Sequence, residues 1–200
     1  MFYMGLDLGK MRDFAALAVV EREEPGWLSS TPSSSVLRVR YLERRPLGTP
    51  YSQVVARVGE LTRHPNLNGR CHLVVDSTGV GVPVVESLRT AGLGCTGITA
   101  VTITSGARAR QAQGFGVGEH WNVPRADLLG GLEMLLERGD LKISRTMREA
   151  GTLVRELVSM RRRGPGRGSE HDDLVLALAL ACWQAMRTKN GMGMMRLPGI

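Results

Sequence analysis

Hydrophobic positions fall in blocks along this chain, and the period within the blocks changes from one to the next. Residues 2–9 form a short apolar run closed by glycine and interrupted by one carboxylate, Asp7. This predicts a buried strand. Residues 10–13 are a polar turn and 14–20 a second apolar run, which predicts a hairpin. Residues 21–35 hold Pro25, Gly26, Pro32 and several serines and read as a loop. Val36, Val39, Tyr41 and Leu42, with Arg38, Arg40 and Glu43 between them, make a third strand. Sequential strands joined this way are expected to be antiparallel.

The period then becomes helical. Val54, Val55, Val58 and Leu61 predict a helix over 51–63, ended by the Pro/Asn/Gly-rich stretch 64–69. Residues 71–76 are a fourth strand, also ending in a carboxylate, Asp76. A Gly-rich turn leads into a helix over 83–90 with Pro83 in its first turn, and 98–103 is a fifth strand. A helix between two strands makes a right-handed parallel crossover the default. Residues 105–123 are polar and Gly-rich and read as a connection. Pro124 opens a helix through 138 with Leu128, Leu129, Leu132, Leu135 and Leu136. Residues 141–143 are extended. A helix over 146–160 is expected to turn Leu153, Val154, Leu157 and Val158 inward, and a basic flexible loop follows. The last helix, 172–186, is apolar nearly all round and should be buried on most sides. The pattern predicts one α/β domain over 1–187 and a flexible tail over 188–200. Its sheet should be mixed and five-stranded, in order 3-2-1-4-5, with helices on both faces.

Composition narrows the setting. The 200 residues are 42% hydrophobic, enough for a full core. A net charge of +7 and a pI near 10.0 point to a polyanionic partner, nucleic acid before membrane surface. No apolar run has the length of a membrane span, and residues 1–20 do not resemble an export signal. Cys71, Cys95 and Cys182 are odd in number and widely spaced, which argues against a disulfide framework or a zinc site and for a reducing cytosol.

Against this background the acids stand out. Asp7 sits within a strand, Asp76 at a strand end, and Asp172 and Asp173 at the start of an apolar helix. Each has a structural alternative: a bulge residue, a turn starter in Asp76-Ser77-Thr78-Gly79, helix-terminus acids favoured by the dipole. Together they offer hard oxygen ligands of the kind that divalent cations take. Two Mg²⁺ or Mn²⁺ ions so held activate water against a phosphodiester. Asp173 is preferred to Asp172 as the ligand. Arg108, Arg110, Arg161, Arg162, Arg163 and Arg167 are read as contacts to a DNA backbone. His171 is read as a residue beside a helix cap, and Trp121 and Trp183 as core rather than base-stacking platforms.

The motifs Gly5-Leu6-Asp7-Leu8-Gly9, Leu73-Val74-Val75-Asp76-Ser77-Thr78-Gly79-Val80-Gly81, Val123-Pro124-Arg125-Ala126-Asp127-Leu128 and His171-Asp172-Asp173-Leu174-Val175-Leu176, in that order, resemble the RNase H-like (RuvC-like) nuclease superfamily. Within it they are most similar to the nuclease domain of phage terminase large subunits, in which a stretch like Leu136-Glu137 to Ile143 precedes the last helices. The resemblance implies an RNase H-like fold and a metal-binding, DNA-binding hydrolase, an endonuclease that cuts concatemeric viral double-stranded DNA by a two-metal mechanism during DNA packaging. It implies that Asp7 bridges both ions, Asp76 holds one, and Asp173 or Asp172 the other. It implies as partners a terminase ATPase domain or subunit, a small terminase subunit and a portal, in the cytoplasm of the host cell and without a membrane. The chain departs from the pattern at Leu176, where many relatives carry a further acid. It also shows no phosphate loop, since Gly5 to Lys10 lacks the spacing, so a nuclease domain alone is expected. The alternatives are a RuvC-like Holliday-junction resolvase, an actin-like ATPase lobe and a non-catalytic DNA-binding module.

Overall fold

The structure is a computed structural model that describes residues 1–9, 14–23, 36–79, 81–112, 118–163 and 172–191. Its first half runs β1 (Phe2–Asp7), β2 (Ala16–Glu23), β3 (Val36–Arg44), α1 (Tyr51–Thr62), β4 (Cys71–Asp76), α2 (Gly81–Thr90) and β5 (Gly97–Thr104). The second half runs β6 (Arg110–Ala112), β7 (Glu119–Pro124), α3 (Arg125–Glu137), β8 (Leu141–Lys142), α4 (Ala150–Arg163) and α5 (Asp173–Gly191).

Among the described residues the strands form one eight-stranded mixed sheet, in order β6-β7-β5-β4-β1-β2-β3-β8. The expected order 3-2-1-4-5 is its centre, with β1–β2 and β2–β3 antiparallel and β1–β4 and β4–β5 parallel. The strand count of five is corrected to eight. The additions are β7, parallel to β5, β6, antiparallel to β7, and the two-residue β8, parallel to β3 at Leu37↔Leu141. Half of β7 is polar (Glu119, His120, Asn122), so its own pattern carries little strand signal. It is a strand because the free edge of β5 offers a full ladder, from Thr99↔Glu119 to Thr104↔Pro124.

Side-chain alternation divides the core into two layers. Met4, Leu6, Leu17, Val19, Leu73 and Val75 face α1 and α2, packing with Val54, Val58 and Leu88. Tyr3, Ala16, Ala18, Val74 and Val101 face the opposite way, against α3, α4 and α5. β3 would break this alternation, because Leu37, Val39 and Leu42 all lie on the α5 side. A bulge resolves it: Val20 pairs Val39 while Val19 pairs Tyr41, which leaves Arg40 as the extra residue.

The last helix lies directly on β1. A Cβ built on Gly5 would stand 1.9 Å from the Ala177 carbonyl oxygen, so only glycine lets the helix come this close. Residues Leu174 to Ala181 are all buried, as the apolar pattern required. The helix continues to Gly191, past the boundary placed at 187. In α4 one expectation fails. Val154 and Val158 are 54% and 47% exposed, while Glu156 is buried. The inward stripe follows Leu153 and Glu156, three residues apart, rather than the two valines. Among the described residues no helix is long and apolar enough to cross a membrane.

Candidate active site

Period-two alternation decides where two of the acids point. Tyr3, Gly5 and Asp7 share one face of β1, and Val74 and Asp76 share the same face of β4. That face is the one α5 covers. The parallel β1–β4 pairing runs to Leu6↔Val75, so Asp7 and Asp76 are the next residues on adjacent strands, about 4.8 Å apart by ordinary strand spacing. The helix runs antiparallel to β1, which brings its N-terminus to the same edge. Asp172 stands at its cap, with its carbonyl accepting from Leu176 N at 2.9 Å, and Asp173 is its first residue.

All four acids are buried, with exposures of 6% for Asp7, 8% for Asp76, 8% for Asp172 and 5% for Asp173. Asp7 feels the consequence most. Burial first, then the charges of Asp76, Asp173 and Asp172, push its carboxyl well above the usual carboxylate range, and among the described residues Arg125 pulls it down. Asp76 Oδ1 accepts from Thr78 N at 2.8 Å, and Thr78 Oγ1 in turn accepts from Ile103 N at 2.7 Å. The β4–α2 turn is thereby tied to β5, and Gly79 supplies its positive φ of 78°.

Two residues to which the sequence reading gave no role of their own complete the cluster. Arg125, the first residue of α3, donates from Nη2 to Asp172 Oδ2. Glu156, from α4, accepts from Val175 N at 3.1 Å, filling a first-turn donor of α5 that has no acceptor within the helix. Its other oxygen lies 3.5 Å from Arg44 Nη1. Burial, ahead of the nearby Asp173 charge, pushes Glu156 up to about 7. The signal for Glu156 was its position three after Leu153. Arg125 stood inside the Val123-to-Leu128 motif, but its role was not legible there, because its partner lies 47 residues away.

The arginines spread differently. Arg108 and Arg110 are exposed, and Arg110 opens the edge strand β6, three strands from β4 or about 14 Å. Exposed Arg161 lines a cavity of about 420 Å³ together with Ala126 and Leu129, beside the start of α3. Arg162 and Arg163 extend α4, and their side chains lie outside the described residues, as do Arg167 and His171 altogether. Trp121 and Trp183 meet edge to face at 5.8 Å and pack against the core.

The donor set suits a hard divalent cation: buried carboxylate oxygens, with more negative than positive charge acting on Asp7 among the described residues. As placed, no group of three His, Cys, Asp or Glu side chains among the described residues stands close enough to hold an ion. Leu176, where the motif pattern would carry a further acid, is buried.

No family model and no curated protein matches the sequence. Solved structures do. The large terminase nuclease from thermophilic phage G20c is 23% identical, with a TM-score of 0.56, over 92% of this chain and 82% of that one. The human cytomegalovirus terminase nuclease domain, Mn soaked, is 14% identical, with a TM-score of 0.54, over the same shares of the two chains. The fold is therefore that of terminase nuclease domains, the RNase H-like fold expected from the motifs.

Proposed function

We propose that this chain is a metal-dependent DNA endonuclease of the terminase large-subunit type. One observation carries the reading: four carboxylates from β1, β4 and the start of α5 are buried together at one sheet edge, and burial with the charges of the other three pushes Asp7 well above the usual carboxylate range. A fold gains nothing from such an arrangement unless a cation joins it. The fold supports the same reading, and the Mn-soaked relative supports divalent metal use.

Asp7, central in the cluster, is assigned the bridging role between two Mg²⁺ or Mn²⁺ ions, Asp76 one ion, and Asp173, with Asp172 beside it, the other. When bound, the ions supply an activated water and stabilise the leaving oxygen of the phosphodiester. The chain's own contribution is rigidity. The Thr78 ties hold Asp76, Glu156 holds the first turn of α5, and the Gly5–Ala177 approach fixes the helix against β1. The net charge of +7 supports double-stranded DNA as substrate, with the proposed arginines as backbone contacts. By the same analogy the substrate is concatemeric viral DNA in the host cytoplasm, and the partners are a terminase ATPase, a small terminase subunit and a portal.

The test is incubation of the purified chain with supercoiled plasmid in Mg²⁺, Mn²⁺ or EDTA. Nicked and linear products in either metal and none in EDTA are expected. Intact plasmid in all three, at protein concentrations that retard DNA, would remove the nuclease assignment.

A further inference from the structure

Among the described residues, Arg125 is the basic group whose charge pulls Asp7 down against the neighbouring acids. It follows Pro124, where β7 ends, and its Nη2 donates to Asp172 Oδ2. The side chain is 23% exposed, and its Nε is buried with no hydrogen-bond partner among the described residues. An arginine held in a structural cluster uses its fork on several acceptors. This one is engaged through a single nitrogen, at the cap of the helix that also carries Asp173.

We infer that Arg125 is a built-in counter-cation for Asp172, one that an incoming divalent ion must displace, so that it sets how tightly the acidic edge takes up metal. The inference rests on the reading of these acids as a metal site. Its physical basis is competition. A guanidinium and a divalent cation cannot both take full advantage of the same carboxylate, and each repels the other across a short, poorly screened distance. While no ion is bound, the ion pair holds Asp172 in place and lowers the repulsion felt by Asp7. Once an ion binds, that compensation is redundant and the guanidinium is turned out towards the mouth of the site.

The test measures Mn²⁺ binding by the loss of the free-ion electron paramagnetic resonance signal, without DNA and at fixed pH and ionic strength. Four chains are compared: wild type, Arg125→Gln, Asp172→Asn and the double variant. Arg125→Gln should bind Mn²⁺ more tightly, by about tenfold, the weight of one neighbouring charge on a buried carboxylate. In the Asp172→Asn background the same replacement should change affinity by less than about twofold, because the contested carboxylate is gone. Arg125→Lys, which keeps the charge but loses the fork, should fall between wild type and Arg125→Gln, and it serves if the glutamine variant does not fold. Unchanged or weaker binding by the Arg125 variants overturns the inference, as does an equal gain with and without Asp172. A wild-type chain that binds Mn²⁺ with no response to Arg125 leaves the metal-site reading standing and removes only the counter-cation. A wild-type chain that binds none overturns both.

Discussion

Two carboxylate clusters in this molecule are built from similar parts and end in opposite electrostatic states. Around Glu43, Tyr41 donates at 2.5 Å, Arg57 Nε at 2.9 Å and Arg45 Nη1 at 3.0 Å, and Arg57 reaches on to Glu60 at 2.7 Å. Burial alone would push Glu43 up, yet these hydrogen bonds hold it below the usual carboxylate range. Around Asp7, burial and three neighbouring acids act in the same direction, opposed among the described residues by one arginine. The first cluster is electrostatically complete, and its acid is stable as an anion. In the second, the central acid is pushed the other way and held in a form that favours a proton or a cation. Acid content alone does not separate a structural cluster from a candidate active site; the direction in which the surroundings push the central acid does.

The most severe way to break this contrast is Asp7→Asn. Cleavage should fall by about a thousandfold or more, because the amide cannot carry the charge that draws cations to the site. The thermal midpoint in EDTA should hold or rise, because a destabilising charge is removed. Near wild-type plasmid nicking would take Asp7 out of the centre of the site.

Gly5→Ala comes next. Its Cβ would overlap the Ala177 carbonyl, which forces α5 and both its acids off β1. Urea denaturation should show a loss of about 1–3 kcal/mol, together with slower cleavage. Unchanged stability would mean that α5 is free to shift without cost.

Glu43→Gln probes the completed cluster. It removes an anion that three donors share and should lose about 1 kcal/mol, with cleavage unchanged. A large loss of cleavage would place this cluster in the reaction too and abolish the distinction.

A smaller effect should appear in pH dependence. Glu156 has a folded value raised from 4.5 to about 7, so the folded chain holds a proton that the unfolded chain releases. Its contribution to stability is therefore full below about pH 4.5 and is lost as pH rises through about 7. In EDTA the midpoint should fall across that window, with Asp7 acting in the same direction, and Glu156→Gln should flatten part of the fall. An identical profile in the variant would remove Glu156 as a cause.

The smallest effect concerns DNA. Replacing Arg161, Arg162 and Arg163 with Ala should reduce the slope of log affinity against log salt by about 0.9 for each phosphate that is no longer neutralised. An unchanged slope would place the DNA elsewhere.

Local pattern decided much of this molecule. The apolar runs of β1, β2, β4 and β5, the central strand order and the buried last helix were legible because strand alternation, turn residues and crossover handedness are short-range rules. Asp7, Asp76, Asp172 and Asp173 were legible for the same reason, as charges in stretches where charge is costly. Their presence at one edge matches the reading, and their role as ligands stays a proposal. Tertiary structure alone decided the rest. β7 became a strand because β5 had an open edge to pair, although half of its own residues are polar. Glu156 faced inward, and Val154 and Val158 outward, because the packing of α4 against α5 set the helix's rotation. Arg125 met Asp172 because the sheet order brought the end of β7 and the start of α5 to the same side. Such long-range pairings depend on which surfaces are left over once the local elements form, and no window of sequence contains that information.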